Sequence, residues 1–129
     1  MPIVVEKLNY TYLPGSRLEN LVLTDVDLTL AEGAFATLIG HTGSGKSTLI
    51  QHLNGLIQPA SGRVLVDGLD MSVKEQRARG RRLVGMVFQY PEYQLFEETV
   101  AADIAFGPKN MGLPPGEIDL CVKEAMDLV

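Results

Sequence analysis

Residues Gly40 to Thr48 read Gly-His-Thr-Gly-Ser-Gly-Lys-Ser-Thr, and their types and spacing suit one chemistry, the holding of a nucleotide's phosphates. A glycine, four residues, then Gly-Lys-Ser/Thr is the phosphate-loop pattern, and Gly40, Gly45, Lys46 and Ser47 occupy its fixed places. Glycines at Gly40, Gly43 and Gly45 let the backbone take conformations that a Cβ would forbid, so several N–H groups can point into one concavity. A helix starting near Lys46 would aim its positive dipole end at the same place. Lys46 adds a mobile point charge for the β- and γ-phosphates, and the Ser47 hydroxyl can ligate Mg²⁺.

Such a loop needs a strand before it and a helix after it. Ala34–Ile39 is a short apolar run of buried-strand type, and Ser47–Leu56 carries Leu49, Leu53 and Leu56 at helical spacing. Upstream, Ile3–Leu8 reads as an edge strand, Pro14-Gly15 as a turn and Leu21–Leu30 as a half-buried strand. Downstream, Pro59 to Gly62 breaks the helix, Arg63–Val66 reads as a strand and Asp67-Gly68 as its hairpin turn. Ser72 and Glu75 have capping-box spacing for a short helix over Val73–Arg79, which Gly80 ends. Leu83–Phe88 reads as a second buried strand. Thr99 should cap a helix that runs to about Phe106 and stops at Gly107-Pro108. A last helix begins near Pro115, with Ile118, Cys121, Val122, Ala125, Leu128 and Val129 on one face. It stops on that apolar stripe with neither cap nor polar tail, the pattern expected of a cut chain. Strands and helices in this order predict an α/β fold.

Composition narrows the classes. At 129 residues the chain holds one domain or part of one, and no apolar stretch reaches the roughly 18 residues of a membrane span. The start lacks the basic and long apolar regions of a signal peptide. The formal charge of −5 argues against nucleic-acid binding. Lys74, Arg77, Arg79, Arg81 and Arg82 nevertheless crowd one stretch, as a solvated helix face or a contact for anionic lipid or a partner subunit. The lone Cys121 can form no internal disulfide and fits a small packed residue. His52 reads as a helix-surface residue.

Many activities share the phosphate loop, so a second motif must choose among them. Gln89 ends the Leu83–Phe88 run and is followed by Tyr90-Pro91-Glu92-Tyr93-Gln94-Leu95-Phe96. A neutral amide can ligate Mg²⁺ through its carbonyl, and an aromatic loop with a proline beside it suits a contact surface. Taken in order, the phosphate loop, Gln58-Pro59-Ala60-Ser61-Gly62, Val66-Asp67-Gly68 and Val87-Phe88-Gln89 resemble the first half of an ABC-transporter ATPase domain. The wording from Gly40 to Leu56 and from Phe88 to Asn110 resembles the ATPase subunits of energy-coupling factor (ECF) importers, which take up vitamins and transition-metal ions in prokaryotes. The resemblance runs over essentially the whole chain.

The resemblance implies a P-loop NTPase fold. A mixed core sheet, an antiparallel β-subdomain and the start of a helical arm over residues 99–129 would belong to a partial ABC ATPase domain of residues 1–129, with a glutamine loop at 89–98. It places Tyr12 against the adenine ring, with Tyr10 as the competing candidate. It assigns ATP to Gly40, His41, Thr42, Gly43, Ser44, Gly45, Lys46, Ser47 and Thr48, His41 mainly through its backbone, and Mg²⁺ to Ser47 and Gln89. Tyr90 to Phe96 would face an integral-membrane coupling subunit. The implied partners are a second ABC ATPase subunit, identical or not, and indirectly a substrate-capture membrane subunit, at the cytoplasmic face of the membrane.

The family's acidic strand with its water-activating Glu, its Leu-Ser-Gly-Gly-Gln signature and its switch histidine have no match here. Val64-Leu65-Val66-Asp67 mimics the acidic strand, but Gly68 follows and a hairpin explains it better. Phosphoryl transfer depends on such groups, so this chain by itself is expected to bind ATP and hydrolyse it negligibly. The alternative is a non-catalytic docking fragment that binds no nucleotide.

Overall fold

The computed structural model describes residues 1–128. It divides into two compact units, Met1–Met86 and Val87–Val129.

The first unit is built on a four-stranded antiparallel sheet of β1 (Ile3–Tyr12), β2 (Asn20–Leu30), β3 (Ser61–Val66) and β4 (Leu69–Asp70), in the order β2-β1-β3-β4. β1 is therefore an inner strand, not the edge strand its sequence suggests. Val5 and Leu8 are both buried although they stand three residues apart, which a regular strand would put on opposite faces. The register shift between them, with Lys7 at φ 47°, turns both inward. Side chains take up the backbone groups this frees: Lys7 N–H donates to Asp27 Oδ1 at 2.8 Å, and Asp25 N–H donates to Asn9 Oδ1 at 3.0 Å. The Lys7 ammonium also donates to Asp27 Oδ2 at 2.7 Å, and that bond holds the Asp27 carboxyl below its ordinary range.

The β3–β4 hairpin turns on Asp67 (φ 50°) and Gly68 (φ 76°), with Val66 opposite Leu69. Two central residues of positive φ are the hairpin geometry that Asp-Gly favours. Asp67 is thus a turn residue rather than the end of a catalytic acidic strand.

Over the sheet lie α1 (Lys46–Leu53) and α2 (Lys74–Gly80). Leu49 and Leu53 of α1 join Val5, Leu8, Leu23, Val64, Val66 and Met71 in one core. α1 is shorter than its sequence suggests, so Leu56 lies beyond it, half exposed. The Ser72–Glu75 capping box does not form: the Ser72 hydroxyl donates to Asp70 Oδ1 at 2.6 Å and Val73 is the N-cap. Arg77 and Arg81 donate to the carbonyls of Met71 and Gly55, whereas Lys74, Arg79 and Arg82 are exposed.

The two apolar runs expected as core strands, Ala34–Ile39 and Leu83–Phe88, pair with nothing among the described residues. Phe35, Ile39 and Val87 are 96%, 88% and 83% exposed. A strand is stabilised by its ladder and the face it buries, and neither is supplied here. The antiparallel β-subdomain is present, and the sequences that would form a core sheet pair with no strand among the described residues.

The second unit has a turn of 3₁₀ helix (Pro91–Gln94), then α3 (Val100–Asn110) and α4 (Pro115–Asp127) packed together. The Thr99 hydroxyl caps α3, accepting from Ala102 N–H at 3.2 Å. α3 does not stop at Gly107-Pro108. Pro108 falls in the last turn, where it removes a single backbone bond, and Gly112 (φ 77°) closes the helix instead. Ile118, Cys121, Val122 and Ala125 form the half-buried face of α4, whereas Leu128 is exposed. Val129, the last member of the expected stripe, lies outside the described residues.

Candidate functional site

The loop from Gly40 to Thr48 owes its shape to two left-handed glycines. Gly43 has φ 83° and Gly45 φ 89°, and Gly45 is the N-cap of α1. A Cβ on Gly45 would also press on Val22 and Leu23 of β2 at 3.1 Å. The α1 N-terminus carries no acidic residue in its first turn and no side-chain cap, so its free N–H groups and positive dipole end are left for an external anion.

Lys46 lies across the mouth of the loop, its ammonium donating to the carbonyls of Gly40 and His41, each at 2.7 Å. Ser44 Oγ stands 3.4 Å from the same nitrogen. A phosphate oxygen can replace either carbonyl as acceptor without the charge leaving the loop. Ser47 follows in the first turn of α1 and is exposed, so its hydroxyl is free to ligate a cation beside a bound phosphate, while Thr48 turns inward. The His41 imidazole Nδ1 bonds the Thr42 carbonyl at 2.8 Å, which leaves the His41 backbone to serve the loop. Below, a cavity of about 290 Å³ opens between Leu23, Val26, Leu38 and Leu49.

Of the two tyrosines weighed for a base platform, Tyr12 is 36% exposed and its Oη lies 3.3 Å from Thr48 Oγ1. Tyr10 packs instead between Tyr12 (ring centroids 4.9 Å, edge-to-face) and His52 (4.8 Å). His52 corrects the sequence reading. It is 1% exposed, and its Nδ1 donates to the Thr48 carbonyl at 2.7 Å. Burial pushes the imidazole below its usual pKa, against the opposing pull of the Thr48 and Gln58 carbonyls. Its Nε2 has no partner of hydrogen-bond geometry. The signal was available in the sequence, because position 52 stands three residues after Leu49 and shares its face.

Gln89 and the Tyr90–Phe96 segment belong to the second unit. Gln89 is exposed, as are Tyr90, Tyr93, Leu95 and Phe96, the tyrosines at 57% and 83%. Tyr90 and Tyr93 tilt together at 5.9 Å, and with Phe88, Gln89 and Gln94 they line a shallow cavity of about 440 Å³. The Phe96 ring meets Phe106 of α3 edge-on at 4.6 Å. Among the described residues no helix is long and apolar enough to cross a membrane.

A helix opening on Gly-Lys-Ser-Thr over an antiparallel sheet, with a glutamine and a helical pair later in the chain, is consistent with the N-terminal half of an ABC-type cassette. Residues 23–127 match the ABC transporter family, and the chain belongs to it. Over its whole length it is 55% identical to the energy-coupling factor transporter ATP-binding protein EcfA2 of Clostridium acetobutylicum and 53% identical to that of Symbiobacterium thermophilum. It spans 46% and 45% of those two proteins, about half the length of the curated relatives it matches. Among solved structures it resembles cbiO1 of Clostridium perfringens, described as part of the ABC transporter complex cbiONQ. That match has TM-score 0.77 and 37% identity over 97% of this chain and 49% of the other. A dimeric bacterial ABC transporter cassette matches equally well in fold, with TM-score 0.77 and 27% identity over 97% of this chain and 54% of the other.

Proposed function

We propose that Gly40–Thr48 and Tyr12 bind Mg-ATP, and that the chain serves as the ATP-binding part of an ECF-type ABC importer for vitamins or transition-metal ions. The observation that carries this is the start of α1. A left-handed glycine opens a helix with no acidic residue in its first turn and no side-chain cap, and the ammonium of its first residue, Lys46, reaches back to the Gly40 carbonyl. Such an N-terminus is an anion site by construction. Tyr12, beside Thr48, would present a ring to the base, and the exposed Ser47 hydroxyl would supply a neutral oxygen to Mg²⁺.

In the whole transporter, ATP binding would close a dimer with a second ATPase subunit and hydrolysis would reopen it. The Tyr90–Phe96 surface would transmit that motion to an integral-membrane coupling subunit, and through it to the substrate-capture subunit, at the cytoplasmic face of the membrane. These residues would bind ATP, and the groups that the family resemblance assigns to orienting water for hydrolysis are not among them.

One observation favours a second reading, a docking fragment that binds no nucleotide. The run feeding the loop, Ala34–Ile39, is unpaired, and a loop on an unanchored strand is less well held. Hydrogen exchange separates the two. Mg-ATP should slow exchange of the Gly40–Thr48 amides; unchanged exchange there at millimolar Mg-ATP favours the docking fragment.

A further inference from the structure

We propose that Tyr10 and His52 are positioning residues for the nucleobase, holding the Tyr12 ring beside α1 so that it offers one fixed aromatic face. The proposal rests on the reading of Gly40–Thr48 and Tyr12 as an ATP site, and it assigns a task to two residues that touch no ligand.

Four residues form a closed circuit. Thr48 is held from two directions, its carbonyl by His52 Nδ1 at 2.7 Å and its hydroxyl by Tyr12 Oη at 3.3 Å. Tyr10 fills the space between, with its ring edge-to-face to both Tyr12 and His52, at interplanar angles of 90° and 74°. Two members come from the end of β1 and two from the first two turns of α1, the helix that opens on Lys46 and Ser47. The circuit therefore ties the expected base platform to the phosphate-binding helix.

A core residue at position 52 could be leucine or phenylalanine. Either would fill the volume without burying a nitrogen that finds no partner, and the unpartnered Nε2 carries a desolvation cost that such a residue avoids. What histidine adds is a flat ring with a donor at Nδ1, which fixes its own rotation through the Thr48 carbonyl and so sets the plane against which Tyr10 packs. A Tyr12 ring already held in place gives up little rotamer freedom when a base stacks on it.

The test is calorimetric titration of the chain with Mg-ATP and, separately, with Mg-tripolyphosphate, which has the phosphates and no base. Tyr12→Ala should weaken ATP about tenfold, the cost of a lost base–aromatic stack, and leave tripolyphosphate unchanged. His52→Phe and Tyr10→Leu should weaken ATP by about threefold or more and also spare tripolyphosphate. His52→Phe added to Tyr12→Ala should cost nothing further, because the platform it orients is gone. Tyr10→Phe, which keeps the ring, should retain wild-type ATP affinity and serves as the folded control if His52→Phe fails to fold.

Equal losses for ATP and tripolyphosphate, or additive losses in the double variant, would overturn the positioning role. The underlying site reading fails differently: the wild-type chain would then bind neither ligand, or Lys46→Ala would change the affinity of neither.

Discussion

Tyr12 Oη lies 3.3 Å from Thr48 Oγ1, so the last residue of β1 touches the first turn of α1 two positions after Lys46. One contact thus joins the strand that carries the expected base platform to the helix that carries the expected phosphate site. The antiparallel sheet places β1, and the shared core of Leu49, Leu53, Val5 and Leu8 places α1. Geometry at the site follows from packing beneath it.

His52 gives the first prediction, in pH. Its imidazole is pushed below the ordinary 6.5 by burial, while in the unfolded chain it returns to that value. The unfolded state therefore binds the proton first, and its share of stability is complete above about 6.5 and lost as pH falls through the folded value. Urea midpoints should drop from about pH 7 to about pH 5.5 in the wild type and less steeply in His52→Phe. Parallel slopes would remove His52 as the cause.

Gly62 is the second. Its φ is 81°, and a Cβ there would collide with the Lys7 carbonyl, at the bulge that turns Val5 and Leu8 inward. Gly62→Ala should destabilise the first unit by about 2–4 kcal/mol in urea unfolding. Gly68→Ala, with φ 76° and open space around its Cβ, should cost only about 1–2 kcal/mol. Equal costs would show that the Gly62 approach is not constraining.

Leu8 is fully buried among the core residues of the sheet. Leu8→Ala should cost about 2–5 kcal/mol by lost burial and a residual cavity. A change below about 1 kcal/mol would mean that the sheet collapses around the gap.

These residues show what the sequence could and could not disclose. Gly43, Gly45, Asp67-Gly68 and the Thr99 cap were legible because each acts within its own few residues, where φ or one hydrogen bond decides the outcome. The runs Ala34–Ile39 and Leu83–Phe88 have strand composition, but a strand exists only with a partner, and local sequence does not provide one. The inner place of β1 was hidden for the same reason: centre or edge depends on β3, which is distant in sequence. Pro108 read as a stop because proline breaks helix interiors, yet in a last turn its cost is small. His52 read as surface from its polarity, although its spacing from Leu49 already put it on the buried face.

Gln89 is exposed beside Tyr90 and Tyr93. Gln89→Ala should leave the Mg-ATP affinity of the chain within about twofold of wild type, since in the proposed site Lys46 and the loop amides would carry most of the binding. In an assembled importer bearing this sequence the same change should abolish solute uptake. Normal uptake would exclude Gln89 as the residue that couples metal and phosphate to the membrane subunit.

The most direct measurement is a calorimetric titration of Mg-ATP into the chain and its Lys46→Ala variant. The wild type should bind with one site per chain. Loss of the charge-assisted bonds from Lys46 should weaken that binding by about thirtyfold or more, with the unfolding midpoint little changed. Equal affinity in the two proteins, or no binding by a folded wild type, would contradict the assignment of Gly40–Thr48 as an ATP site.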